Sequence, residues 1–319
     1  MRRWKKKCAL LASCGLLSFG IYAQGIEHMH RVAGGEPTGV AQSDAAIEID
    51  DESREQSPIV FHNSSLSLRS SMALVVDQKS GRALYAKNTD ARAPIASITK
   101  LMTAMVVLDA KLPLDESIII GNEDVDALRN THSRLKVGTK LSRELALQLA
   151  LMSSENRAAS ALAHHYPGGF PAFVEAMNRK ASSLGMAHTH FVDSTGLNGD
   201  NVSTAQDLVR MVQAAYKYPL IREKTTTGTY DVAMKATGRQ MQFKNTNVLV
   251  RNNSWQIGLS KTGYINEAGH CLVMQAEIAK QPMIIVLLDS WGKLSRIGDA
   301  QRIKKWMESS LAGGKRRYG

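Results

Sequence analysis

The chain is short of thiols, aromatic rings and long apolar runs, and each shortage closes a class of reading. Of its 319 residues only three are cysteine, and two of these, Cys8 and Cys14, stand close to the N-terminus. Loss of an N-terminal leader would leave Cys271 as the sole thiol, which excludes an intramolecular disulfide framework and a multi-cysteine metal site. Aromatic residues make up 6% of the chain, without the clustering of rings and basic residues that marks a nucleic-acid surface. No segment supplies the roughly 20 uninterrupted apolar residues needed to cross a bilayer. The 44% hydrophobic content is that of a globular protein with a sizeable core.

The N-terminus has its own character. Arg2, Arg3, Lys5, Lys6 and Lys7 precede an apolar run from Cys8 to Tyr22 and a small residue, Ala23. That order predicts a cleaved signal peptide over residues 1–23, and hence export to the periplasm. Leu11-Ala12-Ser13-Cys14 offers a competing lipid-attachment box at Cys14, but the apolar stretch runs on past the cysteine. Five of the net +11 charges belong to this leader, so +6 remain, mostly scattered, and no nucleic-acid partner is expected. Residues 24–70 are polar and acid-leaning and read as a linker or arm. A globular domain is expected over 71–311, with a basic tail over 312–319 whose Lys315-Arg316-Arg317 allows at most peripheral membrane contact.

Within the domain, Ala73 to Val76 and Arg82 to Ala86 are β-prone runs around the turn Asp77-Gln78-Lys79-Ser80-Gly81, which predicts a hairpin. After Pro94, apolar residues at Ile98, Leu101, Met102, Met105 and Leu108 follow a helical period. Further helices are predicted over Arg143 to Met152, Arg157 to about His165, Phe170 to Leu184 and Thr204 to Tyr216. Strands return near Thr229, Gln240 to Phe243, Gln256 to Thr262, Cys271 to Ile278 and Met283 to Leu288. An amphipathic helix with Ile297, Ile303, Trp306 and Met307 closes the domain over about Ser295 to Leu311. This order implies an α+β fold, an antiparallel sheet flanked by helices with a mostly helical subdomain inserted, the first hairpin pairing with the last strands.

A serine hydroxyl needs a base before it attacks, and a lysine of lowered pKa can serve. Ser-x-x-Lys on a helix puts both on one face. The spacing occurs at Ser97/Lys100, Ser133/Lys136 and Ser290/Lys293, and only Ser97 opens a long apolar-faced helix, where free backbone N–H groups stabilise an oxyanion. Ser154-Glu155-Asn156 falls at a break between two helices, where Ser154 can relay a proton and Asn156 can hold Lys100 and a substrate amide. Lys261-Thr262-Gly263 closes a strand: the lysine offers charge to a carboxylate, Thr262 a hydrogen bond, and Gly263 close backbone approach. Taken singly, Ser97 and the Ser154–Asn156 turn also read as helix caps.

In the order Ser-x-x-Lys, Ser-x-Asn, Lys-Thr-Gly, these elements resemble the set shared by penicillin-binding proteins and class A β-lactamases. With Pro94-Ile95-Ala96-Ser97-Ile98-Thr99-Lys100-Leu101-Met102-Thr103 and Ser260-Lys261-Thr262-Gly263-Tyr264, the chain resembles the low-molecular-mass D-alanyl-D-alanine peptidases, peptidase S11, from about Met72 to Leu311. The resemblance implies a DD-peptidase-like fold, acyl transfer through Ser97 on peptidoglycan stem peptides, and acylation by β-lactam antibiotics, without a cofactor. It also implies that the backbone N–H groups of Ser97 and Tyr264 form the oxyanion hole and that Lys261 meets the substrate carboxylate. Asp193 to Leu197, Ser203 to Leu208 and Asn245 to Asn247 look familiar from the family as scaffold and cleft-edge segments, with no catalytic step assigned to them. Only 56 residues follow Gly263, which resembles the endopeptidase branch, acting on D-alanyl cross-links. Carboxypeptidase action on stem pentapeptides is the alternative; a β-lactamase, or a wall-binding protein without catalysis, stands further off.

Two other features invite chemistry and are read as structure. His270-Cys271 begins an apolar strand, so the cysteine is expected in the core. His164-His165 and His188-Thr189-His190 lack a ligand spacing, and no metal is expected.

Overall fold

The computed structural model describes residues 66–234, 239–252 and 254–315. The expected leader, the arm up to residue 65 and residues 316–319 of the expected tail lie outside the described residues. The domain opens with β1 (Ser70–Asp77) and β2 (Ala83–Lys87). In the turn between them the Asp77 carboxylate accepts from the backbone N–H groups of Lys79 and Ser80, at 3.0 and 2.7 Å, so the aspartate closes the predicted hairpin by the Asx-turn mechanism. There follow β3 (Ala93–Pro94), α1 (Lys100–Asp109), β4 (Ser117–Ile119), β5 (Lys140–Ser142), α2 (Arg143–Met152), α3 (Asn156–His164), α4 (Gly169–Ser183), β6 (Val202–Ser203), α5 (Ala205–Tyr216) and α6 (Pro219–Thr226). The chain then returns to strands in β7 (Thr229–Met234), β8 (Arg239–Lys244), β9 (Gln256–Ile265), β10 (Gly269–Ile278) and β11 (Gln281–Ser290), and ends in α7 (Ser295–Lys315).

Five strands form one antiparallel sheet in the order β2-β1-β11-β10-β9, with Val75 opposite Ile285 and Met274 opposite Ser260. The expected closure of the first hairpin on the last strands is thereby made. Both faces are covered, which is why β1, β10 and β11 read as nearly unbroken apolar runs. Leu74, Val76, Val273, Ile284 and Val286 point into the core under the helical body. Ala73, Val75, Leu272, Met274, Ile285 and Leu287 point the other way, onto Ala300, Ile303, Trp306 and Met307 of α7. Each fully buried Val, Leu, Ile or Met side chain contributes roughly 1.5–3 kcal/mol.

In the helical body α1 touches α2, α3, α4, α5 and α6, and every residue from Lys100 to Val107 is buried. A helix apolar all round belongs in the middle of a protein, and here it carries one lysine into the interior. Three sets of elements go beyond the sequence reading: α6, the pair β3–β6 and the pair β4–β5. The α6 signal was present in Pro219 at the first helical position. The two short pairs have two or three residues per strand, too few for periodicity, and exist because tertiary contact brings them together. The last helix also runs on to Lys315, past the predicted end at Leu311. Among the described residues no helix is long and apolar enough to cross a membrane.

Candidate active site

Periodicity predicts that Ser97 opens a helix, but the structure places it in a 3-10 turn over Ala96–Thr99, with the α-helix beginning at Lys100. Ala96 sets the turn by adopting φ +48°, a left-handed conformation unusual for a residue with a Cβ. The Thr99 hydroxyl donates to the Ala96 carbonyl at 2.8 Å and holds the turn closed. Two glycines press on the same peptide from different segments. A Cβ at Gly196 would overlap the Ala96 carbonyl, and one at Gly263 would stand 2.9 Å from the Ile95 carbonyl and 3.0 Å from the Ser97 nitrogen. Strand β9 therefore runs alongside the serine backbone at Gly263, one residue before Tyr264.

Lys100 is buried, and its Nζ lies 3.0 Å from Ser97 Oγ, 2.8 Å from Asn156 Oδ1 and 2.7 Å from the Thr195 carbonyl. Burial lowers its pKa from 10.5 to about 7, against the opposing pull of Asp193 and Glu155. A neutral amine has two protons and one lone pair. The Asn156 and Thr195 oxygens can only accept, so they take both protons, and the lone pair is left facing the serine hydroxyl. The other two Ser-x-x-Lys serines are engaged elsewhere: Ser133 Oγ bonds the Glu155 carboxylate, and Ser290 Oγ meets Ser70 Oγ at 2.7 Å.

The break between α2 and α3 projects Ser154 and Asn156. Ser154 takes φ +60°, where glycine is the usual helix-ending residue, and the turn closes by a bond from Glu155 N to the Leu149 carbonyl at 3.1 Å. The conformational cost is accepted where the hydroxyl is presented to the cleft. Lys261, also buried, donates to Ser154 Oγ and to its neighbour Thr262's carbonyl, both at 2.9 Å. Burial first, then the like charges of Lys100 and Arg296, hold the Lys261 pKa well below the ordinary lysine value. Thr262 Oγ1 donates to Thr246 Oγ1 at 2.7 Å. Tyr264 is exposed and stacks on His270, ring centroids 4.2 Å apart.

The sequence-derived residues Ser97, Lys100, Ser154, Asn156, Lys261, Thr262, Gly263 and Tyr264 thus converge on one cleft. Several groups there escaped the sequence reading. Thr195 contributes a backbone oxygen, for which no side-chain signal exists. Its loop is wound around Asp193, whose carboxylate accepts from the N–H groups of Thr195, Gly196 and Asn198, so Asp-x-Thr-Gly was a legible turn though not a legible site. Arg296, at the start of α7, donates to the Gly263 carbonyl at 2.8 Å. Arg129 pairs with Glu267 at 2.8 Å beside a pocket of about 460 Å³ lined by Pro94, Leu128, Asn198, Gly199 and Asp200.

Of the residues read as structural, His270 stacks on Tyr264 at the edge of the cleft, and the side chains of the others take no part in its hydrogen bonds. Cys271 is fully buried, its thiol donates to the Ala268 carbonyl, and burial pushes its pKa up to about 11. His164 Nδ1 pairs with buried Asp124 at 2.9 Å. Among the described residues no group of three or more His, Cys, Asp or Glu side chains is placed to hold a metal ion.

Comparison with known proteins agrees with this geometry. A D-alanyl-D-alanine endopeptidase of Pseudomonas aeruginosa is 52% identical over 242 residues, covering 76% of this chain and 78% of the relative. A D-alanyl-D-alanine endopeptidase of Escherichia coli is 47% identical with the same coverage. Among solved structures, a Streptomyces DD-transpeptidase superposes with a TM-score of 0.71 at 31% identity, covering 77% of this chain and 98% of that one. Penicillin-binding protein D2 of Listeria monocytogenes, solved with ampicillin bound, gives a TM-score of 0.65 at 30% identity, covering 77% of this chain and 98% of that one. Residues 59–292 match the profile of peptidase S11, D-alanyl-D-alanine carboxypeptidase, and with the α+β sheet, its inserted helices and the three motifs in one cleft, the chain belongs to that family of serine peptidases.

Proposed function

We infer that the chain is a serine D-alanyl-D-alanine endopeptidase that opens D-alanyl cross-links of peptidoglycan through an acyl-enzyme on Ser97. The observation that carries this reading is the Lys100 amine, buried 3.0 Å from Ser97 Oγ with its other two directions taken by Asn156 and Thr195. Lys100 accepts the serine proton as Oγ attacks the carbonyl carbon of the D-alanine. Negative charge gathers on the carbonyl oxygen between the N–H groups of Ser97 and Tyr264. As the C–N bond breaks, the Ser154 hydroxyl gives its proton to the departing amine, and the proton held by Lys100 replaces it through the shared cleft. Lys261 and Thr262 receive the carboxylate of the leaving peptide. Water, deprotonated in turn, then attacks the ester carbon, and Ser97 recovers its proton.

The preference for cross-links rests on the two relatives at 52% and 47% identity, both endopeptidases. The family profile carries the carboxypeptidase description, which keeps removal of a terminal D-alanine as the second reading. A β-lactam presents the same acyl carbon to Ser97, so penicillins should acylate it. The basic start and apolar run of residues 2–22, and the location of the substrate, support action in the periplasm. A fluorescent penicillin is expected to label the protein covalently, and Ser97→Ala to abolish labelling; equal labelling of the variant would remove Ser97 as nucleophile. Incubation with cross-linked dimers and pentapeptide monomers, with products separated chromatographically, should show dimers converted to monomers. Loss of alanine from monomers alone would transfer the chain to the carboxypeptidase reading.

A further inference from the structure

Asn156 can serve Lys100 only if its amide is the right way round. With Oδ1 toward the lysine it accepts a proton and leaves the amine lone pair for Ser97. Rotated by a half turn, its NH₂ would face the lysine and compete with the Ser97 hydroxyl for that lone pair. Nothing in Ser154-Glu155-Asn156 itself decides between these, because the two ends of a carboxamide are alike in size.

The deciding groups lie on the segment between β4 and β5. Asn156 Nδ2 donates to Thr131 Oγ1 at 3.0 Å, and Thr131 Oγ1 donates to Asp126 Oδ2 at 2.6 Å. A carboxylate has no proton to give, so it claims the single proton of the threonine hydroxyl, and the threonine oxygen can then only accept from Asn156. That turns Nδ2 toward Thr131 and Oδ1 toward Lys100, where it is found at 2.8 Å. Asp126 is itself fixed by the backbone N–H groups of Leu128, Arg129 and Thr131, at 2.9, 3.0 and 2.9 Å. Burial opposes its ionisation, but these donors and the Thr131 hydroxyl together hold its pKa below the ordinary value. The segment is tied across the cleft by the Arg129–Glu267 ion pair and by Arg129 Nε to the Leu197 carbonyl.

We propose that Asp126 and Thr131 are positioning residues, which impose one orientation on the Asn156 amide and thereby keep the Lys100 lone pair directed at Ser97. The proposal rests on the reading of Ser97 and Lys100 as nucleophile and base. It extends the cleft by two side chains that lie outside its three motifs and reach Lys100 only through Asn156.

The test is the pH dependence of acylation by a fluorescent penicillin, measured for the wild type, Thr131→Val, Thr131→Ser and Asp126→Asn. Valine keeps the shape of threonine but can neither accept from Asn156 nor report the charge of Asp126. Asparagine at 126 can donate to Thr131 Oγ1, at the loss of the acceptor for the Thr131 backbone N–H, freeing the threonine proton for Asn156 and permitting the opposite orientation. In the rotated amide that both changes release, Asn156 no longer accepts from protonated Lys100 and sets a donor against the neutral amine. Plateau acylation should fall by about 10- to 100-fold, part of the 10²- to 10⁴-fold typical of a general base, and the acid limb should move to lower pH. Asp193, Glu155 and Lys261, the charged groups facing Lys100, are unchanged in every variant. Thr131→Ser keeps the relay and should restore both rate and limb.

Wild-type plateau rates in both Thr131→Val and Asp126→Asn would overturn the proposal, as would a slower rate with the acid limb unmoved, the mark of a general loss of structure. Should Thr131→Val fail to fold, as judged by its thermal transition, the isosteric Asp126→Asn decides alone. Absence of wild-type labelling at Ser97 would instead remove the underlying assignment of nucleophile and base.

Discussion

The protonation of Lys100 should govern how acylation depends on pH. Its pKa falls from 10.5 to about 7 because the amine is buried. At pH 7 about half of the molecules then hold the neutral base, against roughly 1 in 3,000 for an ordinary lysine. The acylation rate constant for a fluorescent penicillin should rise about tenfold per pH unit below that value and level off above it. Lys100→Arg keeps the positive charge but cannot release a proton, and should lower the plateau by about 10²- to 10⁴-fold. The same shift enters stability with a definite sign. Between pH 7 and 10.5 the unfolded lysine is protonated and the folded one is not, so the unfolded state binds more protons and stability rises with pH through that window. The Lys100 share is about 5 kcal/mol over the whole window, and it should appear in urea unfolding as a steeper pH dependence for wild type than for Lys100→Met. A flat acylation profile from about pH 5 to about pH 9, or an arginine variant within about tenfold of wild type, would refute Lys100 as the base.

Other substitutions probe the frame of the cleft. Gly196→Ala places a Cβ against the Ala96 carbonyl at φ +78°, and should cost more than about 2 kcal/mol in chemical denaturation while slowing penicillin labelling. Gly263→Ala meets the Ile95 carbonyl and Ser97 nitrogen at 2.9 and 3.0 Å; it should reduce the acylation rate more than it reduces the melting temperature, since the strain falls on the oxyanion side. Lys261→Ala should raise KM for a cross-linked peptide with a free leaving-group carboxylate by about tenfold, and much less once that carboxylate is amidated. Ile285→Ala, at the centre of the sheet and fully buried, should cost about 2–5 kcal/mol in unfolding free energy with labelling per folded molecule unchanged.

Much of the domain was legible because its signals are local. The hairpin at Asp77 is written in the Asp-x-x-Ser-Gly turn, and α2 in its period together with Ser142, whose side chain accepts from Leu145 N. The motif residues were legible for a related reason, since Ser97 and Lys100 lie three apart, as do Lys261 and Tyr264, and short spacing in sequence limits separation in space. The limits appear where geometry depends on a distant partner. The helical period of Ile98 to Leu108 carries no trace of the 3-10 turn at Ser97, which Ala96 adopts because Gly196 and Gly263 close upon it from other segments.

Local information in the chain was therefore enough for the class of fold, the order of its longer strands and of most helices, and the residue types that meet at the cleft, since apolar period, turn chemistry and motif spacing act over a few residues. The chemistry of those residues came from long-range packing. Folding buried Lys100 and so lowered its pKa, and it brought in the Thr195 carbonyl from 95 residues away. It also set the Asn156 amide through Thr131 and Asp126. Desolvation and hydrogen-bond direction arise from neighbours distant in the chain, and a linear pattern does not contain them.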